Sequence, residues 1–227
     1  MGKVTAIVLA AGKGKRMGTE IAKQYLEVHE RPILYYTIQA FEQSDVDEVL
    51  VVVGKGEEEY CQQEIVTKYG FKKVTNVVSG GKERYDSVYQ GLMAAEDSEY
   101  VLIHDGARPC VTKQLINETI EQVKEKKACV VGMPVKDTIK VVTKDGVISD
   151  TPDRTTLMIT QTPQAFEYEM IVKAYERMYE CSCEGVTDDA MVVEMMLKKQ
   201  VYMMPGAYEN IKVTTQEDLK IIEQFLA

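Results

Sequence analysis

Five short apolar runs punctuate the first part of the chain: "VTAIVLAAG" (4–12), "DEVLVVVGKG" (47–56), "KKVTNVVSGG" (72–81), "EYVLIHDGARP" (99–109) and "ACVVGMP" (128–134). Each is too short for a buried helix and rich in β-branched residues, so each is predicted to be a strand. The segments between them, 32–43, 57–70, 82–96 and 112–127, carry helical spacing and helix start and stop signals such as Pro32 and Thr112. Strand alternating with helix leaves few options. The expected fold is α/β, a Rossmann-like and mostly parallel sheet with helices on both faces, in a single domain over residues 1–227. Loops at the carboxyl ends of parallel strands form the usual ligand crevice. Three of them are chemically unusual: "AAGKGKR", "SGGKER" and "HDGARP".

The pattern breaks after the fifth run. "VKDTIKVVTKDGVISDT" (135–151) reads as a two-strand ribbon turning at Asp145-Gly146. A lone hairpin is marginal in water, so this β-arm is expected to protrude and pack against a second subunit, making a homodimer. Beyond it, helices are expected at about 167–180 and 187–199, a strand near 200–204, then a strand at "ENIKVT" and a closing helix capped by Thr214 or Thr215. Asp188-Asp189 reads as a helix start and less well as a metal pair.

Charge sharpens the first loop. The chain carries 27 Lys plus Arg against 36 Asp plus Glu, a net charge of -9, yet "LAAGKGKRMGTEIAKQ" gathers Lys13, Lys15, Arg16 and Lys23 around one acid, Glu20. An acidic chain is a poor match to nucleic acid. A local cationic pocket for a small anion is a better one. The loop lacks the GK[ST] of a Walker motif, and Met17 stands where a dinucleotide fingerprint needs its third glycine. Gly12 and Gly14 let backbone N–H groups approach an anion, and Arg16 and Lys23 add a forked and a point charge, which together suit a triphosphate. The five cysteines have no zinc spacing and there are only two histidines, so reduced thiols and a cytoplasmic location are expected. No apolar stretch reaches membrane-span length, and the start has no secretory pattern.

At this point the motifs carry a resemblance. "LAAGKGKRM" with "KQYL" resembles the first loop of sugar-nucleotide pyrophosphorylases and cytidylyltransferases. "GGKERYDSV", "HDGARP", "PVKDTIK", "TPDRTTL", "QTPQAF", "TDDA" and "ENIKVT" follow in the order of the 2-C-methyl-D-erythritol 4-phosphate cytidylyltransferase family of non-mevalonate isoprenoid biosynthesis. Ribitol-5-phosphate cytidylyltransferases share several of these motifs and are the alternative. A non-catalytic nucleotide-sensing module on the same fold is the alternative of a different class, and it would be expected to lose Arg16 or Lys23.

The resemblance implies CMP transfer from CTP to a polyol phosphate with release of pyrophosphate. It assigns transition-state stabilisation to Arg16 and Lys23, and the phosphate loop to Ala10, Ala11, Gly12 and Gly14. Gly80, Gly81 and Ser87 are expected to read the cytosine. Asp105 and Arg108 are expected over the ribose and substrate phosphate, with Asp105 the nearest protein group to a Mg²⁺ held mainly by phosphates. Thr138, Thr162 and Lys212 are expected to hold the polyol phosphate, joined by Arg154 from the partner subunit. Met158 stands where the family commonly has tryptophan.

Overall fold

The computed structural model describes residues 2–12, 22–181 and 185–226. Gly14 and Arg16 lie outside the described residues, as do Lys13, Lys15, Met17 and Glu20. The five apolar runs form strands β1 (Val4–Ala10), β4 (Glu48–Val53), β5 (Val74–Ser79), β6 (Tyr100–Asp105) and β7 (Ala128–Pro134). A small antiparallel pair, β2 (Glu27–Val28) and β3 (Arg31–Pro32), follows a single helical turn at Lys23–Tyr25.

The main sheet has the order β11-β7-β10-β6-β1-β4-β5, where β10 is Met158–Glu167 and β11 is Tyr202–Pro205. β10 runs antiparallel to both of its neighbours, β6 and β7, and the other pairings are parallel. The mostly parallel expectation holds, with that one reversal.

Helices cover both faces. On one side α1 (Ile33–Glu42), the helix opening at α2 (Glu58–Tyr60) and α4 (Lys113–Lys126) pack Ile38, Phe41, Ile65 and Ile116 onto Val8 and Val51. On the other, α3 (Arg84–Ala94), α5 (Tyr168–Glu180) and α6 (Asp189–Leu197) pack Leu92, Tyr175 and Val193 onto Ile7 and Val52. Gly91, which costs helix propensity in α3, is explained by this contact. A Cβ there would collide with Ile7 of β1, so glycine lets the helix lie close on the sheet.

Three sequence expectations need correction or detail. The helix expected over 57–70 widens to π-helical winding at Cys61–Thr67. "ENIKVT" is not a strand: residues 210–214 form a coil held by Val213 N–H to the Ala107 carbonyl. Asp188 caps α6 by accepting from the Met191 N–H at 2.9 Å, and Thr215 opens α7 (Gln216–Phe225) in a capping box with Asp218. No helix among the described residues is long and apolar enough to cross a membrane.

The arm is a hairpin of β8 (Val141–Val142) and β9 (Ile148–Asp150). Its turn depends on Gly146, whose φ of 82° is unfavourable for a side chain. Val141, Val142, Val147 and Ile148 are all exposed on it.

Candidate active site

Sheet register brings the unusual loops together. Ala10 at the end of β1 lies opposite Val53, and Leu9 opposite Asp105. Gly80 N–H donates to the Val53 carbonyl at 2.7 Å and Gly106 N–H to the Leu9 carbonyl at 2.8 Å. The loops after β1, β5 and β6 therefore meet at one rim. Gly80 sits so close that a Cβ would lie 2.6 Å from the Ala11 Cβ and 2.7 Å from the Ser87 Oγ, which is why only glycine fits between the loop after β1 and the helix. The Ser87 hydroxyl accepts from Gly81 N–H at 3.1 Å and donates to the Glu83 carbonyl at 3.2 Å. In this structure it staples the glycine loop to α3. Gly12 opens onto free space.

Asp105 is the electrostatic centre. Lys212 Nζ lies 2.9 Å from its Oδ2, Arg108 Nε 3.5 Å from the same oxygen, and Arg84 Nε 3.7 Å from Oδ1. Burial pushes its carboxyl up, but Lys212, Arg84 and Arg108 outweigh it and hold the group well below the usual carboxylate range. Arg108, at the end of the same loop, donates from Nη1 to the Asn210 carbonyl at 2.7 Å. Asn210 in turn donates to the Thr162 carbonyl at 2.8 Å. The coil bearing Lys212 is thus stitched to β10 and to the Asp105 loop.

His104 and Thr162 support Asp105 from beneath. Burial drives the His104 pKa down to about 3, so the ring is neutral at physiological pH. Its Nε2 faces the Arg108 carbonyl at 3.3 Å, a partner that only accepts. Nε2 therefore carries the proton, and Nδ1 accepts from the Thr162 hydroxyl at 3.0 Å. Asp105 N–H donates to that hydroxyl at 3.1 Å. With its one proton spent on His104, Thr162 cannot donate to a phosphate. In this structure Thr162 braces the Asp105 backbone against His104.

Lys23 Nζ reaches the Val213 carbonyl at 3.0 Å, one residue from Lys212. Gln24 holds the loop entry by donating to the Ala10 carbonyl at 2.6 Å. Two expected residues stand apart. Arg154 donates to the Lys136 carbonyl at 2.8 Å, at the root of the arm, and Thr138 is exposed on the arm itself. Met158 opens β10 opposite Pro134 and is 37% exposed, so no buried packing is lost where the family carries tryptophan.

One residue went unassigned in the sequence. Arg84, in "GGKER", forks onto Asp189 with bonds of 2.8 and 2.7 Å. A signal was present: a cation in the first turn of a helix opposes the macrodipole, so it needs a tertiary anion to hold it there.

Joining a nucleotide to a phosphorylated acceptor requires backbone donors for a triphosphate and cations spaced to hold two anions side by side. The rim around Asp105 gathers three such cations, Lys212, Arg108 and Arg84. A sequence profile of 2-C-methyl-D-erythritol 4-phosphate cytidylyltransferase matches residues 4–227. The chain is 51% identical to the enzyme of that name from Lachnoclostridium phytofermentans, over 100% of this chain and 97% of the relative. It is 48% identical to the one from Clostridioides difficile, over 98% and 93%. Among solved structures it superposes on 4-diphosphocytidyl-2C-methyl-D-erythritol synthase from Anaerococcus prevotii with a TM-score of 0.86, at 34% identity, covering 99% of this chain and 96% of that one. The chain belongs to the 2-C-methyl-D-erythritol 4-phosphate cytidylyltransferase family.

Proposed function

We infer that the chain carries out its family's reaction, transfer of CMP from CTP to 2-C-methyl-D-erythritol 4-phosphate, in isoprenoid biosynthesis. The acceptor's phosphate oxygen attacks the α-phosphorus. A new P–O bond forms, the bond to the bridging oxygen breaks, and pyrophosphate leaves. A phosphate monoester with a second pKa near ~6 is already mostly dianionic at neutral pH, so no general base is needed. The protein's work is positioning and charge neutralisation.

The carrying observation is the contact from Lys23 to the carbonyl of Val213, beside Lys212 and its ion pair with Asp105. It supports a reading in which Lys23 is the nucleotide-side cation and Lys212 the acceptor-side cation of one site. In this reading Arg16 and Lys23 stabilise the charge developing on the α-phosphate, with Ala10, Ala11, Gly12 and Gly14 shaping the phosphate loop. Gly80 and Gly81 read the base, with Ser87 shaping that loop. Lys212 and Thr138 hold the acceptor phosphate, with Arg108 beside Asp105.

Among the described residues no cluster of three or more His, Cys, Asp or Glu side chains forms a metal cage. A single hard carboxylate, Asp105, fits a Mg²⁺ that takes most of its oxygen ligands from phosphates and water. Bound there, the ion would neutralise triphosphate charge. Holding it would require Asp105 to exchange its contact with Lys212, freeing that lysine for the acceptor phosphate.

The exposed apolar arm supports a homodimer in which the partner's Arg154 completes each site. The polyol is tested by a pyrophosphate-release screen crossing CTP, UTP, ATP and GTP with methylerythritol phosphate and ribitol phosphate. The highest kcat/KM is expected for CTP with methylerythritol phosphate, and a preference for ribitol phosphate would overturn the choice.

A further inference from the structure

The reaction as derived leaves one built feature unused. Arg84 opens α3, directly after the glycine pair, and is about a third exposed, whereas Asp189 is fully buried. Asp189 is itself immobilised. Tyr175 Oη donates to its Oδ1 at 2.6 Å, and its backbone N–H donates to Gln164 Oε1 at 3.0 Å. Gln164 belongs to β10 and also donates to Asp188 Oδ2 at 3.0 Å. A fork onto an anchor of this kind fixes a guanidinium in position and plane. Burial alone would lower the Arg84 pKa, but the Asp189 carboxylate outweighs it and keeps the cation charged.

From that anchor Arg84 acts in two directions. Its backbone starts the helix whose first turn, through Glu83, Asp86 and Ser87, caps and staples the Gly80–Gly81 loop. Its Nε faces Asp105 Oδ1 at 3.7 Å, on the side away from Lys212 and Arg108. The end-on fork of the guanidinium is spent on Asp189, and the remaining Nε edge faces Asp105.

We propose that Arg84, clamped by Asp189, is a positioning residue that locks the base-side loop and the Asp105 carboxylate into one register for CTP. This rests on the assignment of Gly80–Gly81 to the base.

The test uses the full chain, with Arg84→Gln, Arg84→Lys, Asp189→Asn and the double variant Arg84→Gln/Asp189→Asn. Steady-state kinetics are measured against CTP and against methylerythritol phosphate, with thermal unfolding in parallel. Arg84→Gln and Asp189→Asn should each raise KM for CTP by roughly 10- to 100-fold, with KM for the polyol phosphate near wild type. The double variant should be no worse than the worse single one, because the two side chains act as a unit. Arg84→Lys, which keeps the charge and one bond, should recover part of the loss.

A wild-type KM for CTP in Asp189→Asn, beside a raised one in Arg84→Gln, would mean that Arg84 touches the nucleotide itself, and the proposal falls. Lower melting temperatures with unchanged KM values would make the pair a brace of the fold alone, and again it falls. If Asp189→Asn does not fold, Tyr175→Phe removes only one bond from Asp189 and decides the matter in the same way. Failure of the base-loop assignment is read separately, as a wild-type KM for CTP in Gly80→Ala.

Discussion

Lys23 Nζ donates to the carbonyl of Val213 at 3.0 Å, tying the stretch after the glycine-rich loop to the coil that carries Lys212. Two segments 190 positions apart in sequence thereby share one contact at the rim. Removing Lys23 should be felt at both ends. Lys23→Met is expected to fold and to lose about 10²–10³ in kcat, roughly 2.7–4 kcal/mol, the usual loss for one preorganised charge donor. Its KM for the polyol phosphate should rise as well, because Val213 is released. Near-normal turnover in a folded variant would remove Lys23 from the chemistry.

Gly80→Ala should raise KM for CTP and lower stability by about 1–3 kcal/mol, the range for overpacking. The new methyl group would press on Ala11 and Ser87 at 2.6 and 2.7 Å. Ala11→Gly in the same chain should return part of both, since it removes one of the colliding atoms. Urea unfolding and CTP titration of the pair measure this, and an absence of rescue would place the strain elsewhere.

His104 makes stability depend on pH in a defined direction. Its folded pKa, about 3, lies below the unfolded value of about 6.5. Between these limits the unfolded chain binds a proton that the folded chain refuses. Stability should therefore be full above about pH 6.5 and fall as pH drops below it, by about 1.4 kcal/mol per unit once the unfolded histidine is mostly protonated. Urea unfolding at intervals from pH 7.5 to about 5, above most carboxylate titration, should show this slope, and His104→Gln should flatten it. Equal slopes in the two proteins would contradict the assignment.

Arg154→Ala and Lys23→Met, each inactive alone, should complement when mixed and allowed to exchange subunits. In a mixed dimer one site carries both lesions and the other carries neither. Random exchange at equal amounts makes half the dimers mixed, so recovery should approach about a quarter of wild-type activity. No recovery, with exchange demonstrated by labelled subunits, would assign Arg154 to its own chain or to no site.

Local pattern made much of this legible. Alternating runs named the strands of the parallel core, and glycines marked the loops that meet at the rim, because strand burial and loop geometry are written in neighbouring residues. The reversed direction of β10 was not legible. A run such as "MITQTPQAF" looks the same in either orientation, and only pairing with β6 and β7 sets it. "ENIKVT" alternates like a strand, yet its Asn210 and Val213 bond to Thr162 and Ala107 in place of a sheet edge. Arg84 and Asp189 lie 105 positions apart, and their pairing exists only once α3 and α6 share a face. Nor could residue type show that the Thr162 proton is taken by a buried histidine.

The reversal of β10 has a consequence for how this enzyme can vary. Because Met158 lies opposite Pro134, the excursion between them leaves the sheet and re-enters it at adjacent positions on the ligand rim. A parallel neighbour would have needed a return path along the whole sheet. Here the excursion needs none, and each doubling of its length costs only about 0.6 kcal/mol of closure entropy. Insertions, deletions and changes of tip chemistry in this segment are thereby uncoupled from the core. It is the place where the chain can change an exposed apolar surface while the strands that carry Asp105 and Thr162 keep their register.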